Sequence, residues 1–367
     1  MAYTNIDDPS AYFITTLYTG NGSTQDITNN ANAGNFKPDF IWTKSRSDNG
    51  GHAIQDSNRG AGKQFYPNLT YQEENVEGVS AFLTNGFSLG SNGTSNANNV
   101  THVAWQWKAN GGTTTSKSSA TVSGNVTTPC VQQVNTDAGF SILTYTASTS
   151  YAGTETHLEH GLGVGPKVLI VKRRDTAANW AVYHAENGAS PNAGYGYLLL
   201  NSTAATAQSS PTNKYWLNTP AESNATLLAF GSGDDTGANG GEYVCYAFAE
   251  KQGYSKFGGY VGNGNDNGPF IYTGFKPAFV LTKGTHVSQW RLYDSARSPN
   301  NVNINRLFPY STSAEATDTD AGIDMLSNGF KIRGSGGDYN ASGQAYIYMA
   351  FADNPFTTST GIPTTAR

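Results

Sequence analysis

One phrase occurs three times in this chain, and any fold it adopts must contain three copies of one unit. An apolar strand led by proline opens each copy: Phe36-Lys37-Pro38-Asp39-Phe40-Ile41-Trp42, Gly165-Pro166-Lys167-Val168-Leu169-Ile170-Val171, and Phe275-Lys276-Pro277-Ala278-Phe279-Val280-Leu281. An aromatic strand closes each: His102-Val103-Ala104-Trp105-Gln106-Trp107, Tyr243-Val244-Cys245-Tyr246-Ala247-Phe248, and Tyr346-Ile347-Tyr348-Met349-Ala350-Phe351. The leading prolines stand 128 and 111 residues apart. That is domain spacing, well above the ~20–50 residues of solenoid or propeller repeats. The expected organisation is therefore three tandem units: 1–109, 138–252 and 253–356, with a Gly/Ser/Thr-rich linker over 110–137 and a tail over 357–367.

Charged residues are only 13% of the 367, about half the usual share. Gly, Ser, Thr and Asn fill the gap, with 21 Tyr and 17 Phe supplying much of the apolar content. Aromatics suit a pleated sheet, and Gly and Asn suit tight turns. Thr84-Asn85-Gly86-Phe87 and Ser327-Asn328-Gly329-Phe330 read as hairpin tips. Period-two alternation dominates, and no period near 3.6 persists. The fold class expected is all-β: three homologous β-sandwiches of jelly-roll or lectin-like type.

The net charge of −5 offers no basic surface for phosphates, so nucleic acid is not an expected partner. No apolar run reaches the ~20 residues of a membrane helix, so membrane insertion is not expected. Met1-Ala2-Tyr3-Thr4-Asn5-Ile6-Asp7-Asp8 is polar and acidic, unlike a signal peptide, which implies synthesis in the cytoplasm without standard export. Cys130 and Cys245 read as two unrelated thiols.

Certain phrases carry a resemblance: Ile6-Asp7-Asp8-Pro9-Ser10-Ala11-Tyr12-Phe13, Trp105-Gln106-Trp107-Lys108-Ala109-Asn110-Gly111-Gly112, His160-Gly161-Leu162-Gly163-Val164-Gly165-Pro166, and Ala350-Phe351-Ala352-Asp353-Asn354-Pro355-Phe356. They resemble a repeat domain of unknown function found in bacteriophages, especially marine ones, in virion structural and tail-fibre-like proteins. The resemblance covers nearly the whole chain. It implies a β-rich, lectin-like protein of the virion, with other virion proteins as partners, and it supplies no catalytic residues.

Candidate chemistry is thin. Asp56 with Arg59 and Asp294 with Arg297 form a repeated Asp-Ser-x-Arg, read as a turn that caps and pairs itself; the second unit has His184-Ala185-Glu186-Asn187 there. Gly161-Leu162-Gly163-Val164-Gly165 precedes a strand and meets no helix, so it is no dinucleotide loop. Gly231-Ser232-Gly233-Asp234-Asp235 and Thr317-Asp318-Thr319-Asp320 lack the ligand spacing of a calcium loop. His157 and His160 lack a zinc motif. No catalytic, metal or cofactor residue is expected. Trp180 and Trp290 occupy equivalent places and read as core. Trp216, Tyr195, Tyr197 and Tyr310 lack equivalents in the first copy and are the expected exposed surfaces for a glycan or partner.

The expected function is a non-enzymatic bacteriophage virion structural protein, tail-fibre-like or a capsid or tail decoration, contacting host surface glycans. It would be a homo-oligomer, with a trimer the natural guess. The docking segment would be residues 1–10 or the segment around Cys130. A soluble carbohydrate-binding module is the alternative, and a glycan-degrading enzyme a third reading.

Overall fold

The structure, a computed structural model, describes residues 3–148, 155–187, 196–209, 215–216, 225–317 and 321–364. It is nearly all β, with antiparallel sheets throughout and, among the described residues, two α-helices of four residues each and a three-residue 3-10 helix. Each unit is a two-layer sandwich with an inner and an outer sheet.

The inner sheet is the same in every copy. In the first unit its order is Phe13–Thr19, Thr101–Trp107, Phe40–Ser45, His52–Asp56. In the third it is Ser255–Val261, Ala345–Pro355, Phe275–Gly284, Arg291–Asp294. Phe140–Thr146, Glu242–Phe248, Val168–Arg173 and Trp180–His184 form its counterpart at the middle of an eight-stranded sheet in the second. Registers match as well: Phe13 pairs with Trp107, Phe140 with Phe248, and Ser255 with Phe351. Pro277 lies inside its strand at a shift of register, where a residue without an N–H does least harm to the ladder.

All six residues of Phe40–Ser45 are buried, so the inner sheet is covered on both faces. Alternation then divides its side chains between two cores. Phe40, Trp42, Val168, Ile170, Phe279 and Leu281 join one cluster contributed by all three units. Ile41, Leu169 and Val280 face three separate clusters, each inside one sandwich. At the middle of the shared cluster, Trp107, Phe248 and Phe351, which are equivalent residues, each touch the other two, with ring centroids 5.4, 5.9 and 6.4 Å apart. Three equivalent side chains in mutual contact mark a pseudo-threefold axis. The units are not strung in series; they close a ring around that axis.

The outer sheets cover the private cores. They are Gln25–Thr28, Gly86–Leu89 and Val79–Leu83 in the first unit, and Asn267–Tyr272, Gly329–Arg333 and Gly322–Leu326 in the third. The second has Thr156–Glu159 and Leu227–Phe230. A stacked pair pins each sandwich at one end: Tyr18 on His102, Tyr145 on Tyr243, Tyr260 on Tyr346, at 5.1, 5.2 and 4.9 Å. The three tyrosine hydroxyls donate to the carbonyls of Ser95, Thr236 and Tyr339.

The segment 110–137, expected as a linker, supplies strands Thr115–Lys117 and Cys130–Asn135 to the second unit's inner sheet. It also binds the first unit: Gln133, which accepts from Gly112 N within the segment at 3.1 Å, donates to Ser57 Oγ at 2.9 Å. Residues 3–6, part of the other expected docking segment, lie against the third unit and the tether that leads into it. Tyr3 donates to the carbonyl of Gly274 at 2.6 Å, Thr4 to that of Gln252 at 2.7 Å, and Ile6 is buried in the shared core.

Candidate functional site

Three seams close the ring with one repeated set of contacts. An aromatic residue at the start of the fourth inner strand reaches across each: His52 and Trp180 open their strands, and Trp290 stands immediately before Arg291–Asp294. Trp180 Nε1 donates to the carbonyl of Tyr66 at 3.0 Å, and Trp290 Nε1 to that of Leu199 at 2.9 Å. His52 Nε2 meets the carbonyl of Phe308 at 2.9 Å, while its Nδ1 accepts from Trp42 Nε1; that assigns the His52 proton to Nε2. Backbone bonds follow the same pattern: Glu73 N to Arg174 O, Thr206 N to Thr285 O, and Glu315 N to Arg46 O, at 2.8–2.9 Å. Trp180 and Trp290 are therefore buried core residues with an added duty at the seams.

The Asp-Ser-x-Arg elements belong to two of these seams. Asp56 holds Arg59 Nε at 2.5 Å and accepts from Tyr246 of the second unit at 2.7 Å. Asp294 holds Arg297 and accepts from Trp105 of the first unit at 2.9 Å. Glu73 then takes Arg59 and Arg174, and Glu315 takes Arg297 and Arg46, all at 2.9–3.1 Å. At the seam between the second and third units the whole set is replaced. His184 and Asn187 stand for the Asp and Arg, Met349 for the tyrosine or tryptophan, and Thr206 with Thr285 for the Glu–Arg pair. There His184 Nε2 meets the carbonyl of Tyr348 at 3.0 Å, and Nδ1 accepts from Glu186 N. This seam joins units tethered by only three residues, 251–253, where little chain entropy opposes docking.

The seams and the ends of the inner sheets hold titratable groups away from water. Burial pushes Lys44 and Lys283 down to about 8 and Lys172 to about 7. Each ammonium is satisfied by backbone carbonyls, such as Ser45 and Thr312 for Lys44. Burial also pushes His102 and His184 down to about 4 and holds His52 well below its ordinary value. A depressed histidine binds fewer protons folded than unfolded between about 4 and 6.5, so its stabilising contribution is intact above 6.5 and lost as pH falls. The lysines act with the same sign between about 7 and 10.5. The urea midpoint should therefore climb from pH 4.5 to pH 9, and His184→Gln should flatten the part below 6.5. A midpoint that is flat or falls over that range would contradict the buried neutral histidines.

The expected contact residues fare differently. Trp216 is fully buried, packed on Tyr183, Phe230 and Tyr215 at 5.8–6.3 Å, so the expectation of an exposed ring is corrected. Its backbone bridges to Phe230 beside a two-stranded outer sheet. Tyr197 is half-buried and lies flat on Tyr215, 3.9 Å between centroids. Tyr310 is half-buried against the shared core. Tyr195 lies outside the described residues, as do Asp318, Thr319 and Asp320. Asp235 is structural: it accepts from Asn179 N at 2.7 Å and from the Tyr215 hydroxyl. Among the described residues no group of three or more His, Cys, Asp and Glu could hold a metal ion. Cys130 and Cys245 are both buried and free.

Rings exposed as a group lie instead on the outer sheet of the third unit. Phe270 and Tyr272 are 45% and 56% exposed and share the outward face of the edge strand Asn267–Tyr272. Tyr272 meets Tyr3, hydroxyl to hydroxyl at 3.4 Å, and Tyr3 meets Phe356, itself 37% exposed, at 6.4 Å. Lys331 pairs with Phe270 across the ladder. The equivalent outward positions carry Asp26 and Thr28 in the first unit and His157 and Glu159 in the second, as the pairings of Ile27, Leu158 and Ile271 establish. Comparing copies position by position is the sequence signal that exposes this difference.

A family described as a domain of unknown function (DUF7483) matches residues 8–355, a single span that takes in all three units. No curated protein and no solved structure matches the chain.

Proposed function

Taking as premise that the chain belongs to the DUF7483 family of unknown function, we propose that it is a non-enzymatic structural protein of a bacteriophage virion, tail-fibre-like or a decoration, that contacts host surface glycans. One observation carries this reading. The charged residues that recur between copies, Asp56, Arg59 and Glu73 with Asp294, Arg297 and Glu315, are consumed in holding unit to unit. The outward surface differs in all three copies. A scaffold that spends its repeated polar groups on itself and varies its exterior is built for display. The phage setting is supported by the resemblance of the phrases quoted above.

The ring bears on symmetry. One chain presents three equivalent units about an axis, so a single copy can sit on a threefold partner where a one-unit protein would need a homotrimer. No helix among the described residues is long and apolar enough to cross a membrane.

The test is purification of particles from an infected lysate. The chain should band with them in fixed stoichiometry after a high-salt wash. If it stays in the soluble fraction and binds polysaccharide there, the soluble carbohydrate-binding module is the correct reading. Release of reducing ends from host polysaccharide by the purified chain would overturn the non-enzymatic assignment.

A further inference from the structure

We infer that the outward face of the third sandwich, centred on Phe270 and Tyr272, is a carbohydrate seat that takes the apolar ring faces of a neutral hexopyranose chain. This rests on the glycan-contact part of the function proposed above and gives it a place and a ligand class. Phe270 and Tyr272 stand two residues apart on one strand, about 6.6 Å at ~3.3 Å per residue, with both rings outward. A flat ring presents to a sugar's C–H face the same surface it presents to another aromatic.

The geometry argues against a protein occupant. The strand is a sheet edge and would invite pairing with another strand. However, Pro269 sits in its middle without an N–H, next to a register shift between Asn267 and Phe270. The area is also too small. Three rings of roughly 200 Å² each, about half exposed, offer on the order of 300 Å², against about 800 Å² per partner in a stable protein interface. That area suits two or three sugar units.

The charges argue for a neutral ligand. Lys331 Nζ donates to the carbonyl of Gly268 at 2.8 Å, and Arg333 Nε to Asp324 at 2.6 Å. Arg333 is thereby neutralised, and the Lys331 ammonium, anchored on a neutral carbonyl, is left as a single charge with no second cation to form a fork for a carboxylate or sulfate. The tyrosine hydroxyls and the Lys331 ammonium remain within reach of sugar hydroxyls at the rim.

The experiment titrates the full chain with neutral hexasaccharides, β-1,4-linked glucose, α-1,4-linked glucose and α-1,6-linked mannose, by calorimetry. At least one should bind, and Phe270→Ala and Tyr272→Ala should each weaken it tenfold or more at an unchanged melting temperature. Val287→Ala, at a 70% exposed site elsewhere on the third unit, should bind like the parent. Absence of binding by all three probes overturns the proposal. Binding that survives both substitutions overturns the site while leaving glycan contact standing. Preferential binding of a uronic-acid oligomer overturns the neutral class. Particle association, measured separately, reports on the virion reading alone.

Discussion

Trp107→Ala should unfold the whole ring at once, not one unit of it. The indole is 2% exposed and touches Phe13, Phe40, Phe248, Phe279 and Phe351 at 4.8–6.4 Å. Those partners come from all three units. Truncating a buried tryptophan costs about 3–5 kcal/mol, and here the cavity would open on the pseudo-threefold axis. Amide exchange in Glu242–Phe248 and Ala345–Pro355 should accelerate together with that in Thr101–Trp107. Phe248→Ala and Phe351→Ala should behave alike, with strongly coupled pairs. A fragment 138–252 should not fold, because it would expose Val168, Ile170, Tyr246 and Phe248 on one side of its sheet. If Trp107→Ala loosened only the first unit, the shared core would not be the organising element.

Much of this was legible in the residues, and the rest was hidden for definite reasons. The three copies, their strands and their hairpin tips follow from alternation and turn chemistry. The shared core also left a trace: Val168-Leu169-Ile170-Val171 is apolar without interruption, and such a run belongs to a strand covered on both faces. A sandwich exposing one face of its inner sheet would alternate with polar residues instead. Which unit covers which cannot be read that way, because the seams join residues such as Trp105 and Asp294 that lie far apart along the chain.

Trp216 misleads because its lack of an equivalent in the first copy looks like a functional addition. Its ring instead completes the private core of the second sandwich, against Tyr183, Tyr215 and Phe230. Conversely, Phe270 and Tyr272 are inconspicuous in the sequence because a strand reading Phe-Ile-Tyr looks like ordinary core. Only the alignment with Asp26-Ile27-Thr28 shows that two of its three residues point to water.

Asp294→Ala should be among the most damaging single substitutions in the ring, costing about 3–5 kcal/mol, the usual price of stranding one member of a buried ion pair. The side chains of Asp294 and Arg297 are fully buried. Without the carboxylate, Arg297 keeps Glu315 at 2.9 Å and the carbonyl of Leu292 at 3.0 Å, while Trp105 Nε1 loses its acceptor. The seam between the second and third units shows how the same place is filled without the charge, by His184, Asn187 and Met349. Transplanting that solution as Trp105→Met, Asp294→His and Arg297→Asn together removes the cation and the orphaned indole donor along with the anion. Glu315 still has Arg46 at 3.0 Å. The triple variant should therefore recover at least half of the urea midpoint lost by Asp294→Ala, although it changes three residues instead of one. If the triple variant were the less stable of the two, the seams would not be interchangeable and the pseudo-threefold equivalence would hold for the backbone only.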